Sequence, residues 1–121
     1  MTANQRDRLA RQVEFIVEID GLKNVLRQTY LTDRSRRENS AEHSWHFAVL
    51  AIILAEHAAE KIDVTRVVKM ALIHDIVEVD AGDTLVYDTA ARAARTEVEK
   101  AAAARIFGML PEDQAGDLIA L

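Results

Sequence analysis

The sequence predicts an all-α fold, and three observations carry that reading. Apolar residues recur at steps of three and four through most of the chain, the pattern of an amphipathic helix. One proline and four glycines in 121 residues are too few for a turn-dense sandwich or barrel. No stretch alternates apolar and polar residues for more than a few positions. Half of the residues are apolar but only 5% are aromatic, so the core should be aliphatic and alanine-rich. At roughly 100–200 residues per domain, the chain makes one domain spanning 1–121.

Leu9, Val13 and Ile16 stand at helical spacing, which predicts a first helix over about 5–20, stopped by Gly21. Leu22, Val25 and Leu26 predict a short second helix. Residues 29–39, TYLTDRSRREN, have no periodicity and read as a polar loop. Ser40 is a suitable N-cap for a third helix over about 41–60, with Ala48, Val49, Ile52 and Ile53 toward the core. Asp63 caps a fourth helix over about 64–79, whose apolar face is Val64, Val68, Ala71 and Leu72; Ala81-Gly82-Asp83 breaks it. Asp88 caps a long alanine-rich helix over 89–107 that stops at Gly108, and Pro111 opens a last one over 111–120.

Composition excludes several classes. Without cysteine there is neither a disulfide framework nor thiol chemistry. No apolar run approaches the roughly 20 residues of a membrane span, and the N-terminus MTANQRDRLARQ lacks the apolar stretch of a secretory signal. A cytoplasmic protein with no membrane partner is expected. Net charge is −5, which argues against a nucleic-acid polymer as partner. The charge is uneven: residues 1–40 hold eight basic and six acidic side chains, residues 41–121 seven and fourteen. Asp75, Glu78, Asp80, Asp83 and Asp88 follow one another with no Lys or Arg among them. They read either as a solvated acidic loop or as a cation site. Arg27, Arg34, Arg36 and Arg37 cluster upstream, and arginines beside acids suit a phosphate ester flanked by cations.

The chemistry concentrates on the third and fourth helices. Val64, Val68, Ala71 and Asp75 step by four, three and four, so a carboxylate extends an apolar stripe. An unpaired charge there would cost several kcal/mol, so Asp75 needs a partner. His74 is its neighbour. His43 lies in the first turn of the preceding long helix, and two antiparallel helices with a short connection can bring these positions together. Two imidazoles and a carboxylate suit a divalent transition metal.

These residues carry a resemblance. Arg36, Glu38, Asn39, Glu42, His43 and Ser44, then His74, Asp75 and Glu78, then Gly82 and Asp83, resemble in order and spacing the HD-domain metal-dependent phosphohydrolases, in their 5′-deoxynucleotidase-like branch. Glu99-Lys100-Ala101 and Leu110-Pro111-Glu112-Asp113 are similar to the same branch, so the likeness runs from about Leu22 to the C-terminus.

The resemblance implies an HD-domain helical bundle of about five to six helices, and His43, His74 and Asp75 as ligands of a divalent cation (Co, Mn, Zn, Fe or Mg). It implies Glu78 and Asp83 as catalytic carboxylates that handle water or a proton. Arg27 and Arg36 are the implied contacts of the substrate phosphate. Gln28 stands where the family often has Trp. The implied substrate is a phosphomonoester, a nucleoside 5′-monophosphate in the deoxy form. Cyclic nucleotides and guanosine tetraphosphate are the competing substrates within the class. A homodimer is expected from the family and from the small side chains of 89–107. Glu78, four residues after His74, is expected one turn along the same helix face. The family's fourth ligand, an Asp on a later helix, has no counterpart before Leu121, so the chain reads as C-terminally truncated. The alternative function is a metal-binding but catalytically idle module with a scaffold or regulatory role.

Overall fold

The computed structural model describes residues 1–83 and 89–121. Helix α1 spans Ala3–Ile19 and starts in a capping box: the Thr2 hydroxyl accepts from the Gln5 N–H while the Gln5 side chain accepts from the Thr2 N–H. A 3₁₀ turn over Asp20–Asn24 follows. Two short antiparallel strands come next, β1 (Leu26–Tyr30) and β2 (Arg37–Asn39), with Leu26 opposite Asn39 and Tyr30 opposite Arg37. Then come α2 (Ser40–Leu54), α3 (Val64–Ile73), the one-turn α4 (Glu78–Ala81), α5 (Thr89–Phe107) and α6 (Glu112–Ile119). The fold is all-α in class, with this hairpin set against its helices. Among the described residues no helix is long and apolar enough to cross a membrane.

Ile106 on α5 is fully buried at the centre of a core completed by Phe15, Ile76, Ala102, Phe107 and Leu110. Each such large side chain withdraws enough apolar surface to contribute about 1.5–3 kcal/mol. Phe15 and Phe107 meet with ring centroids 6.2 Å apart, joining α1 to α5. Two glycines end elements for steric reasons. Gly82 takes φ 68°, where other residues are strained, and closes α4. At Gly108 a Cβ would lie 2.4 Å from the Ala104 carbonyl oxygen, so only glycine lets α5 stop there.

Several elements differ from the sequence reading. Leu22, Val25 and Leu26 do not form a helix: Leu22 anchors the 3₁₀ turn and the chain then enters β1. Residues 29–39 are not all loop, because β2 pairs back on β1. The cap of α2 is Asn39, whose side chain accepts from the Glu42 N–H, and Ser40 is the first helical residue. That helix ends at Leu54, followed by a 3₁₀ turn over Ala55–His57. Asp63 caps α3 as expected, accepting from the Arg66 N–H. The expected helix over 64–79 divides after Ile73. The Asp88 cap lies outside the described residues.

Of the core positions assigned to α2, Ala48 is buried, but Val49, Ile52 and Ile53 are exposed. This helix is apolar nearly all round, and the side that packs inward is its small-residue edge, Ser40, Ser44 and Ala48. The small side chains let α2 lie close to α3, its principal neighbour. Leu9, Val13 and Ile16 of α1 likewise line a groove against Leu72 and Leu118, while Phe15 enters the core.

Ser44 is buried, and its hydroxyl has no hydrogen-bond partner among the described residues. A buried unsatisfied hydroxyl costs about 1–3 kcal/mol. Ser44→Ala is therefore expected to stabilise the protein by about 1 kcal/mol, as read from urea unfolding midpoints at unchanged m-value.

Candidate metal centre

Helix α2 contributes His43 from its first turn, and α3 delivers His74 and Asp75 at its C-terminal end. Because α2 and α3 lie side by side, the three come together: one ligand atom from each lies within 4.8 Å of the others. The two imidazole centroids are 6.0 Å apart.

Hydrogen bonds define which nitrogen each histidine offers. His74 Nδ1 is 2.7 Å from the Ala71 carbonyl oxygen. A carbonyl only accepts, so Nδ1 carries the proton; Nε2 faces Asp75 Oδ2 at 3.1 Å, and in the neutral ring its lone pair is open to a cation held between the two. His43 Nδ1 lies 3.1 Å from Glu38 Oε1, which by the same logic leaves its Nε2 as the free donor of electrons. Two lone-pair nitrogens and one carboxylate within reach of a single ion fit a divalent transition metal.

The hairpin brings the cation of the site. Arg27 on β1 is largely buried, with Nη1 3.4 Å from Asp75 Oδ2 and Nε 3.2 Å from Glu38 Oε1. Its Nε–H is not aimed at that oxygen and has no hydrogen-bond partner among the described residues, so the Glu38 contact is one of charge. Arg36 is placed differently: its guanidinium contacts Glu42 at 2.5 and 3.0 Å and the Arg37 carbonyl.

Glu78 does not follow His74 along a continuous α-helix. From Ile73 onward the chain winds with three-residue hydrogen bonds, Ile73 to Ile76, Asp75 to Glu78 and Ile76 to Val79. In such tight winding side chains three apart eclipse, so Glu78 lines up with Asp75 rather than with His74. Its carboxylate is buried and accepts from the Ser40 hydroxyl at 2.5 Å. Burial pushes the Glu78 carboxyl above its ordinary pKa; the Ser40 hydrogen bond opposes this, the charges of Asp75 and Asp83 add to it, and Arg27 opposes it weakly. Asp83, just past Gly82, accepts from the Gln28 backbone N–H at 3.2 Å and so ties the loop after α4 to β1.

Three neighbours were given no role at the site by the sequence. Glu38 touches Arg27 and His43 together. Ser40 holds Glu78. Arg95 on α5 donates to the Ala81 carbonyl at 2.7 Å and to the Gly82 carbonyl, fixing the turn that leads into Asp83. Glu38 belongs to the motif that carries the resemblance, where no role was assigned to it; the site roles of Ser40 and Arg95 depend on packing that no local pattern encodes. An apolar cavity of about 260 Å³, walled in part by Met70, Val77, Phe107 and Leu118, opens on His74.

A family model described as HD domain matches residues 19–121. Among curated proteins, 5′-deoxynucleotidase HDDC2 of Homo sapiens is 27% identical over 110 residues, which is 90% of this chain and 52% of that protein. The protein of the same name from Xenopus laevis is 26% identical over 102 residues, 84% of this chain and 49% of its own. A crystal structure of a predicted metal-dependent phosphohydrolase from Magnetospirillum magnetotacticum MS-1 matches with a TM-score of 0.84 and 58% identity, covering 94% of this chain and 58% of that one. The chain thus spans about half the length of the curated relatives it matches.

Proposed function

The chain belongs to the HD domain family, and we propose that it is a metal-dependent phosphohydrolase that releases phosphate from nucleoside 5′-monophosphates, deoxy forms first. The observation that carries this reading is the convergence of His43, His74 and Asp75 within 4.8 Å, with Arg27 against the carboxylate. The names of the relatives support the substrate class.

In this reading His43, His74 and Asp75 hold one divalent cation, which supplies Lewis acidity to the phosphate ester and to water. Arg27 turns its amino groups from Asp75 onto the phosphate oxygens and stabilises their charge as the P–O bond breaks. Glu78, kept protonated more readily than an exposed carboxyl and held by Ser40, handles the proton of the attacking water or of the leaving 5′-oxygen. Asp83 orients that water from the loop beyond α4. The cavity beside His74 gives an organic group room next to the phosphate. Arg36, tied to Glu42, reaches the substrate only by leaving that pair. The reading carries with it a cytoplasmic setting and a homodimer, the latter supported by the exposed apolar side of α2; analytical ultracentrifugation tests it.

The deciding assay is phosphate release from a panel of 5′-deoxynucleotides, ribonucleotides and cyclic nucleotides with cobalt or manganese added. Release confined to the monoesters and lost on chelation is the expected result. Retention of metal with no release from any of them would instead favour the idle module.

Arg95 offers a test of the loop. Arg95→Ala frees the Ala81 and Gly82 carbonyls and lets Asp83 drift. Metal affinity is expected to stay and kcat to fall about tenfold to hundredfold, measured by cobalt titration alongside steady-state kinetics.

A further inference from the structure

One oxygen of the site gathers two hydrogen-bonding neighbours and a guanidinium charge. Glu38 Oε1 lies 3.1 Å from Thr29 Oγ1, 3.2 Å from Arg27 Nε and 3.1 Å from His43 Nδ1. Arg27 and Thr29 lie in the irregular stretch of β1 between Leu26 and Tyr30, and both side chains reach Glu38 on β2. His43 comes up from the first turn of α2, directly after that strand. The hairpin therefore places one largely buried carboxylate between an arginine and a histidine that sequence distance would not otherwise join.

We propose that Glu38 is the positioning residue of the centre: it sets the tautomer and the angle of His43 and anchors Arg27 by its Nε end. This rests on the reading of His43 as a metal ligand. A carboxylate oxygen can only accept from His43, so Nδ1 keeps the proton and Nε2 is presented to the ion. The same oxygen draws in the stem end of the Arg27 guanidinium, leaving Nη1 to face Asp75, where a substrate phosphate would meet it. The Thr29 hydroxyl, itself bonded to Oε1, holds the carboxylate against rotation. Glu38 touches neither the ion nor the substrate and acts through the two groups that do.

Two variants separate reach from charge. Glu38→Gln keeps an acceptor oxygen at the same reach and removes the charge; Glu38→Asp keeps the charge and withdraws the oxygen by one methylene. Glu38→Ala removes both. The first readout is the imidazole ¹⁵N–¹H correlation spectrum of metal-free protein near pH 8, which distinguishes Nδ1–H from Nε2–H at His43. The second is cobalt affinity by visible absorbance. His43 is expected as the Nδ1–H tautomer in the wild type and in Glu38→Gln, with cobalt bound within a few-fold of equally. In Glu38→Asp and Glu38→Ala the tautomer is expected to become mixed or Nε2–H, and cobalt affinity to fall about 10–100-fold. Unchanged tautomer and affinity in the Asp and Ala variants would overturn the proposal, as would loss of the tautomer in Glu38→Gln. If Glu38→Ala fails to fold, the Asp and Gln variants decide alone. A wild type that binds no cobalt would count against the metal reading itself, while the tautomer comparison would still decide what Glu38 does.

Discussion

Asp75→Ala is expected to lose divalent-cation binding and, with it, phosphate release. Asp75 is the only carboxylate of the converging three, so without it two neutral imidazoles face the ion with no charge to offset it. Sites of four ligands bind zinc by roughly 10–16 kcal/mol, about 3 kcal/mol a ligand, so losing one donor weakens affinity on the order of 10²-fold. The neighbourhood makes the loss larger here. Arg27, 3.4 Å from Asp75 in the wild type, is left facing the pocket as a largely buried cation and repels the incoming ion. His46→Ala is the matched control: its ring is exposed and stacks on Trp45, away from the three ligands, and this variant is expected to bind cobalt as the wild type does. His57, exposed beside Glu56, should be equally dispensable. Cobalt titration with elemental analysis checks all three, and an Asp75→Ala protein that binds cobalt at wild-type strength would refute the assignment of the site.

The convergence of His43 with His74 and Asp75 was legible in the sequence because it depends only on helices. His43 opens a long apolar segment and His74 and Asp75 follow a periodic one, and a short connection leaves two such helices little choice but to pack side by side. The hairpin was not legible. Its strands have five and three residues, their register slips between Leu26 and Tyr30, and charged residues occupy both faces, so no alternation marks them. Leu22, Val25 and Leu26 happen to repeat at a helical step, and tertiary pairing overrides that local signal. The inward side of α2 was misread because a helix apolar on every side gives periodicity nothing to choose between. The better signal was the run Ser40, Ser44 and Ala48, small residues four apart where two helices approach closely. Glu78 was placed by a 3.6-residue turn that the chain gives up after Ile73. Its residue number pointed to the right neighbourhood, and the tight winding decided which side chains it would meet.

Glu78 is where stability and turnover are expected to oppose each other. Its carboxyl is buried and its pKa lies above the ordinary value, because an ionised group there loses hydration and faces the charges of Asp75 and Asp83. A carboxyl whose folded pKa exceeds its unfolded one binds its proton more tightly in the folded state. Its contribution to stability is therefore fully present below the unfolded pKa, near 4.5, and is lost as pH rises through the raised value. At neutral pH, well above the unfolded value, the Glu78 carboxyl is a cost to the fold. Glu78→Gln removes that cost and keeps an oxygen to accept from the Ser40 hydroxyl. The metal-free variant is expected to melt higher than the wild type at neutral pH, with the gap closing as pH falls toward 4.5. An amide cannot pass a proton to the leaving oxygen, so kcat is expected to fall about 10²-fold or more. Cobalt affinity should hold, since Glu78 is not one of the three converging ligands. Thermal melts across pH, cobalt titration and steady-state kinetics on the one variant check the three statements separately. A Glu78→Gln protein that lost cobalt would make Glu78 a ligand rather than a proton carrier; one that melted lower at neutral pH would show that the Glu78 charge is needed by the fold.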